Sequence, residues 1–167
     1  MAEVNQNGKK SEQGNQYLSF YIKDEMFAIN VFYVKEIIQY TQITRVPMMQ
    51  SFLVGITNIR GNVISVIDLA DRLMLKQSGV DKKTCIITIE TLIDGEETEI
   101  GIVVDVVDQV YDILEDHRMD APEFGSKIRK DFISMIAKID EKFITLLDMD
   151  AILNIQELSK IVENKVA

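Results

Sequence analysis

From Tyr17 onward apolar and polar side chains alternate. Leu18, Phe20 and Ile22 are set against Tyr17, Ser19 and Tyr21, the period of two with which a strand turns one face inward. Lys23, Asp24 and Glu25 interrupt the run as a turn, and a second strand is expected over residues 27–30. Val31, Val34 and Ile38 then share one face of a predicted short helix, followed by a β-rich stretch at 37–41. After Pro47 the pattern predicts a strand through Ile56 and Ile59, a tight turn at Arg60, Gly61 and Asn62, and a return strand over 63–67. Asp68 stands where a helix cap belongs, ahead of Leu69, Leu73 and Met74. Beyond the polar segment 76–83, strands are expected at 84–90 and 99–104 around a hairpin turn at Asp94 and Gly95. Residues 149–162 read as a terminal helix, with Ile152, Ile155 and Val162 facing a lobe. Residues 1–16 are polar and without apolar periodicity, and are expected to form a disordered tail ahead of one folded unit over 17–167.

The last third of the chain repeats an earlier plan. Residues 55–74 laid over 135–154 without gaps share Ile56/Ile136, Ile59/Ile139, Ile64/Ile144, Asp68/Asp148 and Leu73/Leu153. Residues 27–37 over 100–110 share Ile29/Ile102, Val31/Val104 and Val34/Val107, in the same order along the chain. Any two buried hairpins share apolar alternation, so one match alone would say little; two in order point to duplication. The expected fold is all-β, with two similar lobes, each a small closed or nearly closed barrel, because closure removes exposed strand edges. The copies differ in charge: Glu36 and Arg60 correspond to Gln109 and Asp140, so only the first copy holds opposite charges that can pair.

Composition narrows the function. With 47% hydrophobic residues in 167, the chain has enough apolar material for a real core. A formal charge of −9, from 18 basic and 27 acidic residues, repels nucleic acid and anionic lipid. No stretch is long and apolar enough to insert in a membrane, no signal-peptide core is present, and Cys85 is the single cysteine, which together predict a cytoplasmic protein. No nucleotide-binding glycine loop occurs, and no cofactor or metal is expected. His117 lies in an acidic loop where solvation explains it without a proton-transfer role. Asp105, Asp108, Asp112, Glu115 and Asp116 match no calcium or zinc spacing; a carboxylate-based hydrolase would require at least two of them to converge in one pocket. Ile86 shares a strand face with Thr84, Thr88 and Glu90, an apolar side chain among polar ones and so a possible contact point, although isolated exposed apolar residues are common. Val46, Pro47, Met48, Met49, Phe52 and Leu53 suit a junction between lobes.

Four segments resemble the CheW family of chemotaxis coupling proteins: FAINVFYVKEI at 27–37, GITNIRGNVISVIDL at 55–69, IGIVVDVVDQV at 100–110, and 132–153 ending in LLDMDAIL. The second, with Asn58, Arg60, Gly61, Asp68 and Leu69 in register, is the most specific. The resemblance implies two five-stranded SH3-like β-barrels intertwined around a shared core. It implies a non-enzymatic adaptor between the cytoplasmic tip of chemoreceptors and the regulatory domain of the histidine kinase CheA, at receptor arrays on the inner face of the membrane. It also implies a receptor-binding groove using Glu36, Arg60, Thr84, Cys85, Ile86 and Val110, with Val34 and Gly55 at or near a kinase-binding surface. A coupling protein of a sister pathway, such as one controlling pilus motility, would share the same fold. The chain departs from the family pattern at Ser65, where proline is usual, and at Met135 and Ala137, where glycine is frequent.

Overall fold

The computed structural model describes residues 13–47, 50–75, 79–93, 95–122 and 128–154. Its strands are β1 (Gln16–Ile22), β2 (Glu25–Asn30), β3 (Val34–Gln39), β4 (Leu53–Ile59), β5 (Asn62–Asp68), β6 (Cys85–Ile93), β7 (Glu96–Val104), β8 (Val106–Asp112), β9 (Arg118–Met119), β10 (Ile133–Ile139) and β11 (Lys142–Leu147). Two single-turn helices, α1 (Leu69–Arg72) and α2 (Met149–Ile152), follow β5 and β11. One sheet runs β8-β1-β2-β11-β10-β9, the other β3-β6-β7-β5-β4.

The duplication expected from the sequence is repeated in the hydrogen-bond register. Leu53 pairs with Ile67 and Ile133 with Leu147, each pair followed by a bulge, and both hairpins close at Ile59/Asn62 and Ile139/Lys142. The backbone N–H of Asp68 donates to the Phe52 carbonyl at 2.7 Å, and that of Asp148 to the Phe132 carbonyl at 2.8 Å. Each aspartate then caps its helix by accepting from the N–H three residues on, Asp71 or Ala151. The parallel pairings match as well: Ser65 faces Ile100 where Thr145 faces Phe27.

The two copies are not two separate lobes, because each sheet is assembled from both. β1 and β2 join β8, β10 and β11 of the second copy, while β6 and β7 join β3, β4 and β5 of the first. Only Val31–Tyr33 separate β2 from β3, and only Asp105 separates β7 from β8. At each of these short connectors the chain passes from one sheet to the other: β2 lies between β1 and β11, whereas β3 pairs with β6.

Each sheet is rolled over an apolar cluster of its own. Ile38 on the edge strand β3 packs with Val54 and Ile59 on the opposite edge strand β4, and Tyr111 on β8 with Met135 and Ala137 on β10. A larger core shared by both sheets contains Phe20, Phe27, Ile87, Ile89, Ile102, Phe132 and both helices' apolar residues. This is the SH3-like double barrel.

Several expectations change in detail. The short helix through Val31, Val34 and Ile38 is a single 3-10 turn at Val31–Tyr33, held by the Asn30 side chain accepting from the Phe32 N–H at 2.8 Å. From Val34 the β-branched residues continue as strand, with Val34, Glu36 and Ile38 on the more sheltered face. Residues 13–16, expected in the tail, are a 3-10 turn and the start of β1: the Asn15 carbonyl accepts from the Ile113 N–H at 2.7 Å, and the Gly14 carbonyl from the Asn30 amide at 3.2 Å. Residues 1–12, most of the expected tail, lie outside the described residues. Of the expected terminal helix over 149–162, α2 covers Met149–Ile152 and ends with its cap at Leu153, and residues 155–167 lie outside the described residues. The β6–β7 hairpin is longer than expected, its strands meeting at Ile93 and Glu96.

Candidate functional site

Glu36 and Arg60 meet. Arg60 Nη2 lies 3.0 Å from Glu36 Oε2, although the residues sit on opposite margins of their sheet, Glu36 on β3 and Arg60 in the β4–β5 turn. Local structure fixes both ends. Glu36 follows a bulge, and its backbone N–H donates to Thr88 Oγ1 at 3.1 Å while Thr88 Oγ1 donates back to the Glu36 carbonyl at 3.3 Å. Arg60 and Gly61 both have positive φ, 52° and 86°, the geometry of a tight two-residue hairpin turn. Asn58 Oδ1 accepts from the Gly61 N–H at 2.9 Å. The ion pair therefore bridges the seam where the barrel closes, next to Thr57 Oγ1 donating to the Gln42 carbonyl at 2.9 Å. In the other barrel the corresponding residues are Gln109 and Asp140, and Gln109 bonds instead to the Tyr111 hydroxyl.

The other expected receptor-groove residues are not all available to a partner. Ile86 and Thr84 are buried, and the contact expected at Ile86 is corrected accordingly. β6 is an interior strand covered on both faces, with Ile87 and Ile89 in the shared core and Ile86 Cγ2 over Gly101 beside Ile64 and Val66. Thr84 accepts from the Asp81 N–H at 2.9 Å through its hydroxyl and from the Tyr40 N–H at 3.1 Å through its carbonyl, anchoring a loop. Cys85 is half-buried against the shared core. Burial raises its thiol pKa, the Val107 backbone offsets part of this, and the thiol donates to the Lys83 carbonyl at 3.3 Å. Cys85 thus sits where β6 approaches β8 of the other sheet. Val110 lies on β8 itself, exposed.

Of the two residues expected at a kinase surface, Val34 lines a groove with Phe32, Tyr33, Thr91, Leu92 and Asp150. Phe32 and Leu92 are 60% and 69% exposed, large apolar side chains that the core does not need. The sequence reading did not single them out, though Phe32 is the aromatic residue left off the face shared by Val31 and Val34. Tyr33 holds one wall: its hydroxyl donates to Asp150 Oδ2 at 3.0 Å, and burial first, then this bond, push its pKa up to about 12. Gly55 lies elsewhere and offers no surface. It is buried with φ 154°, and a Cβ there would fall on the Thr44 carbonyl oxygen, which accepts from the Ile56 N–H at 2.9 Å. Its assignment as a contact is corrected to that of a close backbone approach.

The carboxylates are dispersed. Asp105 accepts from the Lys23 N–H at 2.6 Å and Asp108 from the Ser19 hydroxyl at 3.0 Å. Of the five, only Asp105 borders the cavity of about 720 Å³ between Tyr40, Arg45, Gln50, Asp68 and Val103. The convergence that a hydrolase requires is not found among them. His117 Nδ1 accepts from the Leu114 N–H at 3.2 Å, a loop role. Among the described residues no helix is long and apolar enough to cross a membrane.

Comparison with known proteins agrees with this geometry. A family model described as the CheW-like domain matches residues 16–157. The chemotaxis protein CheW of Klebsiella aerogenes is 30% identical over 87% of this chain and 86% of its own length. That of Bacillus subtilis is 31% identical over 84% of this chain and 88% of its own. The crystal structure of the scaffolding protein TtCheW from Thermoanaerobacter tengcongensis superposes with a TM-score of 0.72 at 31% identity, covering 81% of this chain and 85% of that one.

Proposed function

The chain belongs to the CheW family, and from that premise we propose that it is a non-enzymatic adaptor coupling the cytoplasmic tip of a chemoreceptor to the regulatory domain of the histidine kinase CheA. The observation that carries this reading is the Glu36–Arg60 pair at 3.0 Å across the barrel seam. It orders polar recognition groups on one barrel, near the strand boundary where Cys85 meets the other sheet. Val110, exposed on that other sheet, supplies an apolar contact to a receptor helix lying along the boundary. The kinase domain occupies the separate groove at Val34, where Phe32 and Leu92 give the exposed apolar anchors that interface centres use. A protein working this way needs no cofactor, and it resides in the cytoplasm at receptor arrays beneath the inner membrane.

Binding of purified full chain to a soluble receptor cytoplasmic fragment and, separately, to the regulatory domain of CheA tests the proposal. Saturable binding to each is expected, with Phe32→Ser weakening only the kinase arm. Failure of both arms with correctly folded protein overturns it.

A further inference from the structure

Phe52 and Phe132 are repeat equivalents, as are Arg72 and Ile152, and all four meet at one place. Arg72, the last residue of α1, is 6% exposed and is the only charged residue among the described residues that is buried. Its guanidinium carbon lies 5.1 Å from the Phe52 ring centroid and 4.7 Å from that of Phe132. Its Nε donates to the Ile152 carbonyl at 2.9 Å, satisfying a carbonyl at the end of α2. Phe52 leads into β4 and Phe132 into β10, so the one side chain touches elements of both barrels.

Filling space does not explain an arginine here, since the second copy uses a fully buried isoleucine at the equivalent position. Burying a charge is costly, and apolar replacements of buried charges are often neutral or stabilising. What a guanidinium supplies that isoleucine lacks is direction: a planar cation that stacks on rings and an N–H fixed in its plane. The ring of Phe132 is held in turn, with Arg129 over it at 4.4 Å and Arg129 paired to Asp131 at 2.6 Å.

We propose that Arg72 is a positioning residue that fixes the angle between the two barrels and thereby the boundary along which the receptor tip lies. The second half rests on the adaptor reading; the first does not. Arg72→Met and Arg72→Lys in the full chain test it, read by residual dipolar couplings, melting, and affinity for the two partner fragments. For both variants the couplings of each barrel still fit the present structure separately but no longer fit it jointly. Met melts within about 5 °C of the parent, because the buried charge is not what stabilises the core. Receptor-fragment affinity falls about tenfold, and kinase-domain affinity falls with it, because the Val34 groove is walled by Leu92 of one sheet and by Asp150 beyond the last strand of the other. Couplings that still fit jointly for both variants overturn the proposal. So does a melting loss above about 10 °C in both, which marks Arg72 as a stabilising residue instead. A changed angle with unchanged receptor affinity removes the second half alone. If the parent itself binds no receptor fragment, the adaptor reading fails while the couplings still decide the angle.

Discussion

Arg60 exposes 80% of its side chain and Glu36 18%, so their ion pair is screened on one side and anchored on the other. An exposed pair contributes at most about 1 kcal/mol. Arg60→Ala is accordingly expected to shift the denaturation midpoint little while weakening receptor binding. Glu36→Arg sets like charges together, and the double swap Glu36→Arg with Arg60→Glu restores part of the binding if the pair itself shapes the seam. A double swap no better than the worse single variant would mean that each side chain touches the receptor directly. Gly55 behaves oppositely. Gly55→Ala drives a methyl into the Thr44 carbonyl, and should cost more than about 2 kcal/mol in urea denaturation and lower both partner affinities together. Comparison of the repeats made the ion pair legible in the sequence, because Gln109 and Asp140 cannot form it. Ile86 and Thr84 were not legible, since alternation is informative only where one face of a strand meets water, and β6 has neither face free there. Gly55 depends on Thr44, reached through a segment without periodicity. Arg72 at a helix end reads as a solvated charge until Phe132, distant in sequence, is placed against it.

The hairpin–cap–helix unit is the element that the sequence displayed best, because Asp68 and Asp148 are identical in kind and both cap as expected. Their surroundings differ. Burial is the main cause raising the Asp68 pKa above 3.8, with Asp71 and Asp105 adding repulsion and backbone N–H groups opposing it. A carboxyl whose pKa is raised on folding favours the fold while protonated; that contribution is full below the unfolded value near 3.8 and is lost as pH rises through the folded value. At neutral pH the cap therefore carries a charge it does not need. Asp68→Asn keeps an acceptor for the Asp71 N–H without that charge, and should be as stable as the parent or more so at pH 7, any gain vanishing below pH 3.8. Asp68→Ala removes the acceptor and should cost about 1 kcal/mol. Urea denaturation at the two pH values decides; an Asn variant as weak as Ala at pH 7 would show that the ionised carboxylate, not the acceptor, makes the cap. The 3-10 turn at Val31–Tyr33 reads as helix in the sequence because three β-branched residues at helical spacing also fit a turn running into a strand.

For the whole molecule, the consequential feature is the exchange of strands between copies, which takes place at two short connectors, Val31–Tyr33 and Asp105. The duplication could be seen in the sequence; the exchange could not, because a short connector suits a hairpin within one sheet as well as a passage between two, and only the pairing tells them apart. It carries a prediction. A chain divided in the polar segment between α1 and β6 yields one fragment holding β1–β5 and another holding β6–β11. Neither fragment can complete a sheet. The first retains β1–β2 and β4–β5 but lacks β6 and β7, which lie between β3 and the β5–β4 pair; the second lacks β1 and β2, which join β8 to β11. The shared core also draws Phe20, Phe27 and Leu69 from the first fragment and Ile87, Ile102 and Phe132 from the second, so each alone leaves that apolar surface in water. Each fragment alone should show no cooperative thermal transition by circular dichroism, whereas an equimolar mixture should regain the β spectrum and a single concentration-dependent transition. A cooperative transition in either fragment alone would mean that a copy can close its own barrel without strands from the other.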